Sequence, residues 1–314
     1  MKIAGMSFDF SLVGVPFRMQ PGLRRVAAGT AQLTPALPGS RHLDEKMAVL
    51  AGHCAQALVA VPSFDAGEAL AAIAREAASL APVAFEYRNA GDCRAGGLGW
   101  ALRDGALEGD GDPAIGRLLQ ALAPGVRATA LACLAFEEDF AVLDGATATV
   151  PWLAVCLPSR WAPESKVGLS FAAVHAPVAD NAMLVAASEQ LARLVTGDER
   201  WERFVWTITA DPRLDQHPAR TAARWPADAD SDALAAGASL RSERQTFIPS
   251  PGRQRAVFTI RIESRPLDEA VDSADAASRL HAALASMSPA VLAYRNLDAA
   301  RDRLLDWLAR RAAA

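Results

Sequence analysis

Apolar positions along the chain follow two periods, one helical and one extended, and the change between them divides the sequence. From residue 43 to 61, Met47, Leu50, Ala51, Cys54, Leu58 and Val61 recur at three- and four-residue steps, which puts them on one stripe of a helix. Pro62 closes that helix, because a proline pushes the residue before it out of helical geometry. A second helix is expected over 66–80, stopped by Pro82. Residues 88–112 hold seven of the 21 glycines and read as a long loop with little regular structure, a lid or an insertion.

The period then shortens. Residues 140–143, Asp144-Gly145 and 147–157 predict a hairpin around an Asp-Gly turn. Its second strand, 150–157, is almost continuously apolar and is expected to be buried on both faces. Residues 204–209 alternate bulky with smaller or polar side chains. Residues 257–263 alternate more cleanly, with Phe258, Ile260 and Ile262 on one face. Helical patterns at 164–173 and 182–195 lie between the strands, 220–238 reads as a polar connection, and the tail returns to helix from Leu267. Three or four antiparallel strands wrapped by helices make an α+β fold.

Residues 240–247 break the alternation rule. If extended, they put Arg241, Glu243 and Gln245 on one face and Ser242, Arg244 and Thr246 on the other. Neither face is apolar, yet a loop at 248–254 would pair this strand with the amphipathic one that follows. Two readings stand: an edge strand whose charges are solvated and weakly paired, or a strand with one polar face lining a cavity.

Composition narrows the function. The chain is 51% hydrophobic and 22% charged, with net charge −4 and pI near 5.8, which argues against a nucleic-acid partner. No stretch approaches the length of an apolar spanning helix, so no membrane is expected. The apolar N-terminus, interrupted by Asp9 with Lys2 as its positive charge before it, makes a poor secretory signal. Cys54, Cys93, Cys133 and Cys156 form no CxxC pair and read as reduced thiols of a cytoplasmic protein.

Of five histidines, His42, His53 and His281 lie on helical patterns and His217 in a loop. His175 stands apart: it ends a helical pattern and precedes Ala176-Pro177, so the chain must stop there and aim its last side chain at a fixed place. An imidazolium at a helix C-terminus and a ligand are both compatible with that position. No HExxH or Cys–His spacing supports zinc. Gly168-Leu-Ser170-Phe-Ala172 lacks the last glycine of a nucleophile elbow, and Gly109-Asp-Gly111 lacks the context of a dinucleotide fold.

Several segments occur in a familiar order. They are Trp152-Leu-Ala-Val-Cys156-Leu-Pro158-Ser159-Arg-Trp161, Glu164-Ser-Lys166-Val-Gly168 and Val174-His175-Ala-Pro177-Val178. Arg203-Phe-Val-Trp206 with Asp211-Pro212, Arg241-Ser-Glu243-Arg244-Gln245-Thr246, Phe258-Thr-Ile-Arg261 and Tyr294-Arg-Asn-Leu follow. Met19-Gln-Pro-Gly22-Leu23-Arg24 and Glu138-Asp139-Phe140 fit upstream. Over residues 17–310 the chain resembles the α subunit family of heme-dependent oxidative N-demethylase. It departs from the pattern at Leu157, where an aromatic is expected, and in 88–112.

The resemblance implies a PAS-like antiparallel sheet (138–265) between a mainly helical N-terminal part (1–137) and a helical tail (266–314). It implies heme b and O2-dependent demethylation of a small secondary amine such as dimethylamine, giving the primary amine and formaldehyde. Electrons would come from NADPH through separate flavin and iron–sulfur reductase subunits. Carried over, His175 is the proximal iron ligand, Glu243 and Arg244 are the catalytic polar groups, and Arg241 and Lys166 bind the cofactor. On a two-faced strand, either Arg244 or the pair Arg241 and Glu243 must lie further from the heme, unless a bulge intervenes. A heme-binding PAS-like sensor or carrier without turnover is the alternative. A family member that has lost heme fits less well, because His175 is kept.

Overall fold

The computed structural model describes residues 8–80, 82–250, 252 and 254–313. Residues 1–7 of the weak signal-like segment lie outside them. The chain begins with β1 (Arg24–Arg25), α1 (Arg41–Ala57), β2 (Leu58–Ala60) and α2 (Gly67–Leu80). The strands β3 (Glu86–Asn89), β4 (Asp92–Ala95), β5 (Trp100–Arg103) and β6 (Ala106–Gly109) follow, then α3 (Pro113–Ala121) and α4 (Pro124–Ala135). The middle holds β7 (Asp139–Asp144), β8 (Thr149–Ala154), α5 (Phe171–His175), α6 (Ala182–Ala186), α7 (Ser188–Val195), β9 (Trp201–Thr209), α8 (Ser231–Ala236), β10 (Ser239–Ser250) and β11 (Arg255–Pro266). The tail is α9 (Leu267–Ala270), α10 (Ala274–Ala285), α11 (Pro289–Tyr294) and α12 (Arg301–Ala313).

Two antiparallel sheets result, one of seven strands in the order β1-β9-β10-β11-β7-β8-β2 and one of four, β3-β4-β5-β6. The fold is α+β. Two expectations are corrected here. The helix read as reaching Val61 ends at Ala57, because Leu58–Ala60 pair with Ala154–Trp152 of β8 and tertiary pairing overrides the continued helical spacing. Residues 88–112 are not a loop: they form most of the four-stranded meander. Its third hairpin turns on Asp104-Gly105, both left-handed at φ +49° and +79°, the conformation that favours an Asp-Gly pair.

The helix starts follow local chemistry. Ser40, Ser273 and Ser288 cap α1, α10 and α11 through their side-chain oxygens, and Asp112 caps α3 with Pro113 in the first turn. The 140–143 and 147–157 hairpin forms as β7 and β8. Its strands divide their side chains between two cores: Phe140, Val142, Trp152 and Ala154 join Leu50, Ile73, Leu131 and Phe136 under the N-terminal helices. Ala141 and Leu153 face the other side of the sheet. A second large core packs Leu280, Leu284, Leu304 and Leu308 of the tail against Ile208 and Leu240.

A buried charge fixes one seam. Lys46, fully buried, donates through Nζ to the carbonyls of Cys133 (3.1 Å) and Phe136 (3.0 Å) and lies 3.2 Å from Asp139 Oδ1. Asp139 Oδ2 accepts from Leu157 N at 2.7 Å, so the pair also anchors the chain as it leaves β8 toward residue 159. Burial opposes the charge on Lys46, but Asp139 together with Cys133, Cys156 and Glu138 outweighs it and holds the ammonium above its usual pKa. Among the described residues no helix is long and apolar enough to cross a membrane.

Candidate functional site

The far face of the large sheet is only partly covered by helix: at one end α7 packs Ala192 and Val195 against Leu143, Phe247 and Ala256. Between this face and the segment 159–184 lies a cavity of about 570 Å³, within the range of roughly 300–1,000 Å³ typical of small-molecule sites. Trp161, Phe171, Phe247 and Phe258 form aromatic walls, the last two stacked at 4.9 Å. Five lysines and arginines (Arg160, Lys166, Arg203, Arg241, Arg295) line it against one carboxylate, Glu243.

His175 is the last residue of α5. Its Nδ1 lies 2.8 Å from the carbonyl oxygen of Phe171. A carbonyl only accepts, so Nδ1 carries the proton and Nε2 keeps a lone pair. Burial lowers the His175 pKa, with Arg203 and Lys166 acting in the same direction and the Phe171 carbonyl opposing, so the ring is neutral at pH 7. The short helix is pinned at both ends. Ser170 Oγ accepts from Ala173 N, Lys166 Nζ donates to Val174 O at 3.1 Å, and Asn181 Nδ2 donates to His175 O and Ala176 O. Lys166 thus steadies the histidine's helix while its own pKa is lowered by burial.

On β10, Arg241, Glu243 and Gln245 face the cavity, opposite Thr207, Val205 and Arg203 of β9. Glu243 Oε1 accepts from Ser159 Oγ, and Gln245 Nε2 donates to Oε2 at 2.6 Å. Ser159 Oγ in turn accepts from Arg241 Nε at 2.8 Å. The rest of the Arg241 guanidinium serves the carbonyls of Arg213, Leu214 and Leu157. Arg241 therefore lines the wall as a clamp that joins two loops to the strand, and Ser159 passes that order on to Glu243.

Arg244 is not in this site. As the neighbour of Glu243 on a regular strand it points to the opposite face, where Nε donates to Glu202 Oε2 at 3.0 Å and Nη1 to Ala31 O at 2.6 Å. Nor is the strand an edge: β10 pairs with β11 along its whole length, to Ser250 opposite Arg255, and with β9 as far as Phe247 opposite Trp201. Arg241 and Thr246 are buried and the residues between them half-buried, for different reasons on the two faces.

Sequence reasoning placed Gln245 on the face of Arg241 and Glu243 but gave no site role to it, Ser159, Tyr294, Arg203 or Arg295. Tyr294 ends α11 and lines the cavity; burial raises its phenol pKa. Arg295 packs between the rings of Phe17 (4.6 Å) and Trp206 (5.8 Å), and burial brings its pKa down to about 10. Arg203 falls on the smaller, polar phase of the β9 alternation with Val205 and Thr207, where a charged side chain breaks no pattern, so the sequence held no local signal for it. The remaining histidines have protein partners or lie away from the cavity; His217, for example, faces Glu164 at 3.1 Å.

The family model for haem-dependent oxidative N-demethylase, alpha subunit-like proteins matches residues 120–305, more than half of the chain. The chain belongs to this family. The match runs from the end of α3 into α12 and so contains every residue that lines the cavity except Met19. The four-stranded sheet and α1 and α2 precede the family's matched region.

Proposed function

We propose that this chain is the heme-binding subunit of an O2-dependent oxidative demethylase of a small secondary amine such as dimethylamine, yielding the primary amine and formaldehyde. The observation that carries the reading is a neutral His175, its Nδ1 proton held by Phe171 O and its Nε2 lone pair left for a metal, at a cavity of about 570 Å³. The residues fit heme b. A flat, mostly carbon macrocycle suits the walls of Trp161, Phe171, Phe247 and Phe258, and its two carboxylates suit a lining with five cationic side chains. Among the described residues no three His, Cys, Asp or Glu gather, so iron held by His175 would draw its other ligands from the macrocycle.

When bound, the heme would supply O2 activation and one-electron chemistry. The chain supplies orientation and charge. Glu243, with one hydrogen bond to each oxygen, keeps further lone pairs for the N–H groups of an alkylammonium. It can also take the proton that the ammonium must shed to expose its nitrogen lone pair. The aromatic walls exclude water from that exchange, which strengthens it. NADPH electrons would arrive through separate flavin and iron–sulfur subunits, in keeping with an alpha subunit. The site is built mainly on a PAS-like core (138–265), with Met19, Tyr294 and Arg295 completing its wall, in a domain spanning 17–310 of a cytoplasmic protein.

Purified protein titrated with hemin should give a Soret band at one heme per chain. With a reductase supplied, dimethylamine should stimulate O2 uptake and formaldehyde release. Heme binding with no amine-dependent uptake would leave a sensor or carrier. No heme binding would sink both readings.

A further inference from the structure

The arginines of the large sheet nearly all have partners. Arg24 and Arg244 meet Glu202, Arg25 meets Glu199, Arg255 meets Asp144 and Arg261 meets Glu137. Arg241 has four acceptors, and Arg265 has the carbonyl of Glu269. Arg203 differs. It lines the cavity from β9, and its Nε is buried with no hydrogen-bond partner. Among the described residues its guanidinium makes no hydrogen bond or ion pair. Glu243 favours its charge, but both Glu243 oxygens are engaged by Ser159 and Gln245. Arg295, the next cation along the wall, donates Nη1 to Trp206 O and Nη2 to Met19 Sδ, but its buried Nε also lacks a partner, and Arg203 disfavours its charge.

Two desolvated like charges with unfilled donors are costly unless an anion joins them. A guanidinium fork matches a planar, two-oxygen anion best, and Glu243 beside it disfavours a dianion such as phosphate. We propose that Arg203, backed by Arg295, is a receptor for a single carboxylate entering the cavity. The proposal rests on the heme reading, and the carboxylate has two sources. It is either a heme propionate or an acid group on the amine itself. In the second case the substrate is an N-methylated amino acid, with its ammonium on Glu243 and its carboxylate on Arg203.

The test uses the full chain as wild type, Arg203→Gln and Arg203→Lys, with thermal melting of the heme-free proteins to verify folding. Each is titrated with hemin and with hemin dimethyl ester. The heme-loaded proteins are then titrated optically with dimethylamine and with N-methylglycine. A propionate source predicts that wild type prefers hemin over its diester by about tenfold or more and that Arg203→Gln removes the preference, each tenfold being about 1.4 kcal/mol. A substrate source predicts unchanged hemin affinity and at least tenfold weaker N-methylglycine binding in Arg203→Gln, with dimethylamine unaffected. In either case Arg203→Lys recovers part of the loss. A folded Arg203→Gln protein that matches wild type in all four titrations overturns the proposal. A wild type that binds no hemin overturns the heme reading and the proposal with it.

Discussion

The two faces of β10 are both polar, each with one arginine, and have opposite fates. On one face Arg244 pairs with Glu202, and Thr246 bonds Thr259 Oγ1 at 2.7 Å and Gln32 Nε2 at 2.9 Å. Arg244 Nη2 lacks a well-directed hydrogen bond, but Glu202 lies 3.0 Å from it and supplies the opposite charge, and that layer cements the N-terminal segment to the sheet. On the other face, Arg241, Glu243 and Gln245 are ordered by Ser159 and still border an open volume, with Arg203 unanswered beside them. Polarity in a central strand is therefore no sign of function by itself. What marks function is a buried charge whose partner the chain does not supply.

The comparison is sharpened most strongly by removing a partner on the closed face. Glu202→Ala strands Arg244, and the account expects a loss of roughly 3 kcal/mol, the lower end for breaking a buried pair because Arg24 is half exposed. Urea unfolding measures it, and heme stoichiometry should not change. On the open face Glu243→Gln should do the reverse. Stability stays within about 1 kcal/mol, while dimethylamine binding to heme-loaded protein weakens roughly tenfold or more, read by optical titration. If Glu243→Gln destabilised the fold as Glu202→Ala does, the two faces would not differ as described.

How far the sequence revealed this can be followed through particular residues. The hairpin at Asp144-Gly145, the alternation in β9 and β11 and the anomaly at 240–247 were all legible, because each strand there is long enough to show a period. The meander β3 to β6 was not: its strands are four residues each, too short to display alternation among so many glycines. Asp104-Gly105 did carry a hairpin signal. His175 was legible from its place before Ala176-Pro177. Glu243 and Arg244 could not both meet one cavity, since neighbours on a strand point apart, and only pairing decides which face is open. Arg203 and Arg295 come from β9 and the end of α11, and no local pattern brings them together.

Smaller effects test the support behind the open face. Ser159→Ala deletes the hydroxyl between Arg241 and Glu243 and should weaken amine binding about threefold, with the hemin titration unchanged. The loop that receives Arg241 has its own pH dependence. Burial raises the Asp211 pKa, but hydrogen bonds from Arg213 and Thr221 override this and hold it at about 2. A carboxylate depressed in the folded state stabilises it above the unfolded pKa and loses that contribution as pH falls toward the folded value. Stability should therefore decline between about pH 4 and pH 2, and Asp211→Asn should flatten that part of the curve.

The central claim is that His175 is the protein's iron ligand in this cavity, and an absorption titration tests it most directly. Wild type and His175→Ala, both verified as folded, are titrated with hemin, reduced and exposed to carbon monoxide. The account predicts a saturating histidine-ligated heme spectrum in wild type and its loss in His175→Ala, with imidazole added to the solution restoring it. The same spectrum and affinity in His175→Ala would contradict the account.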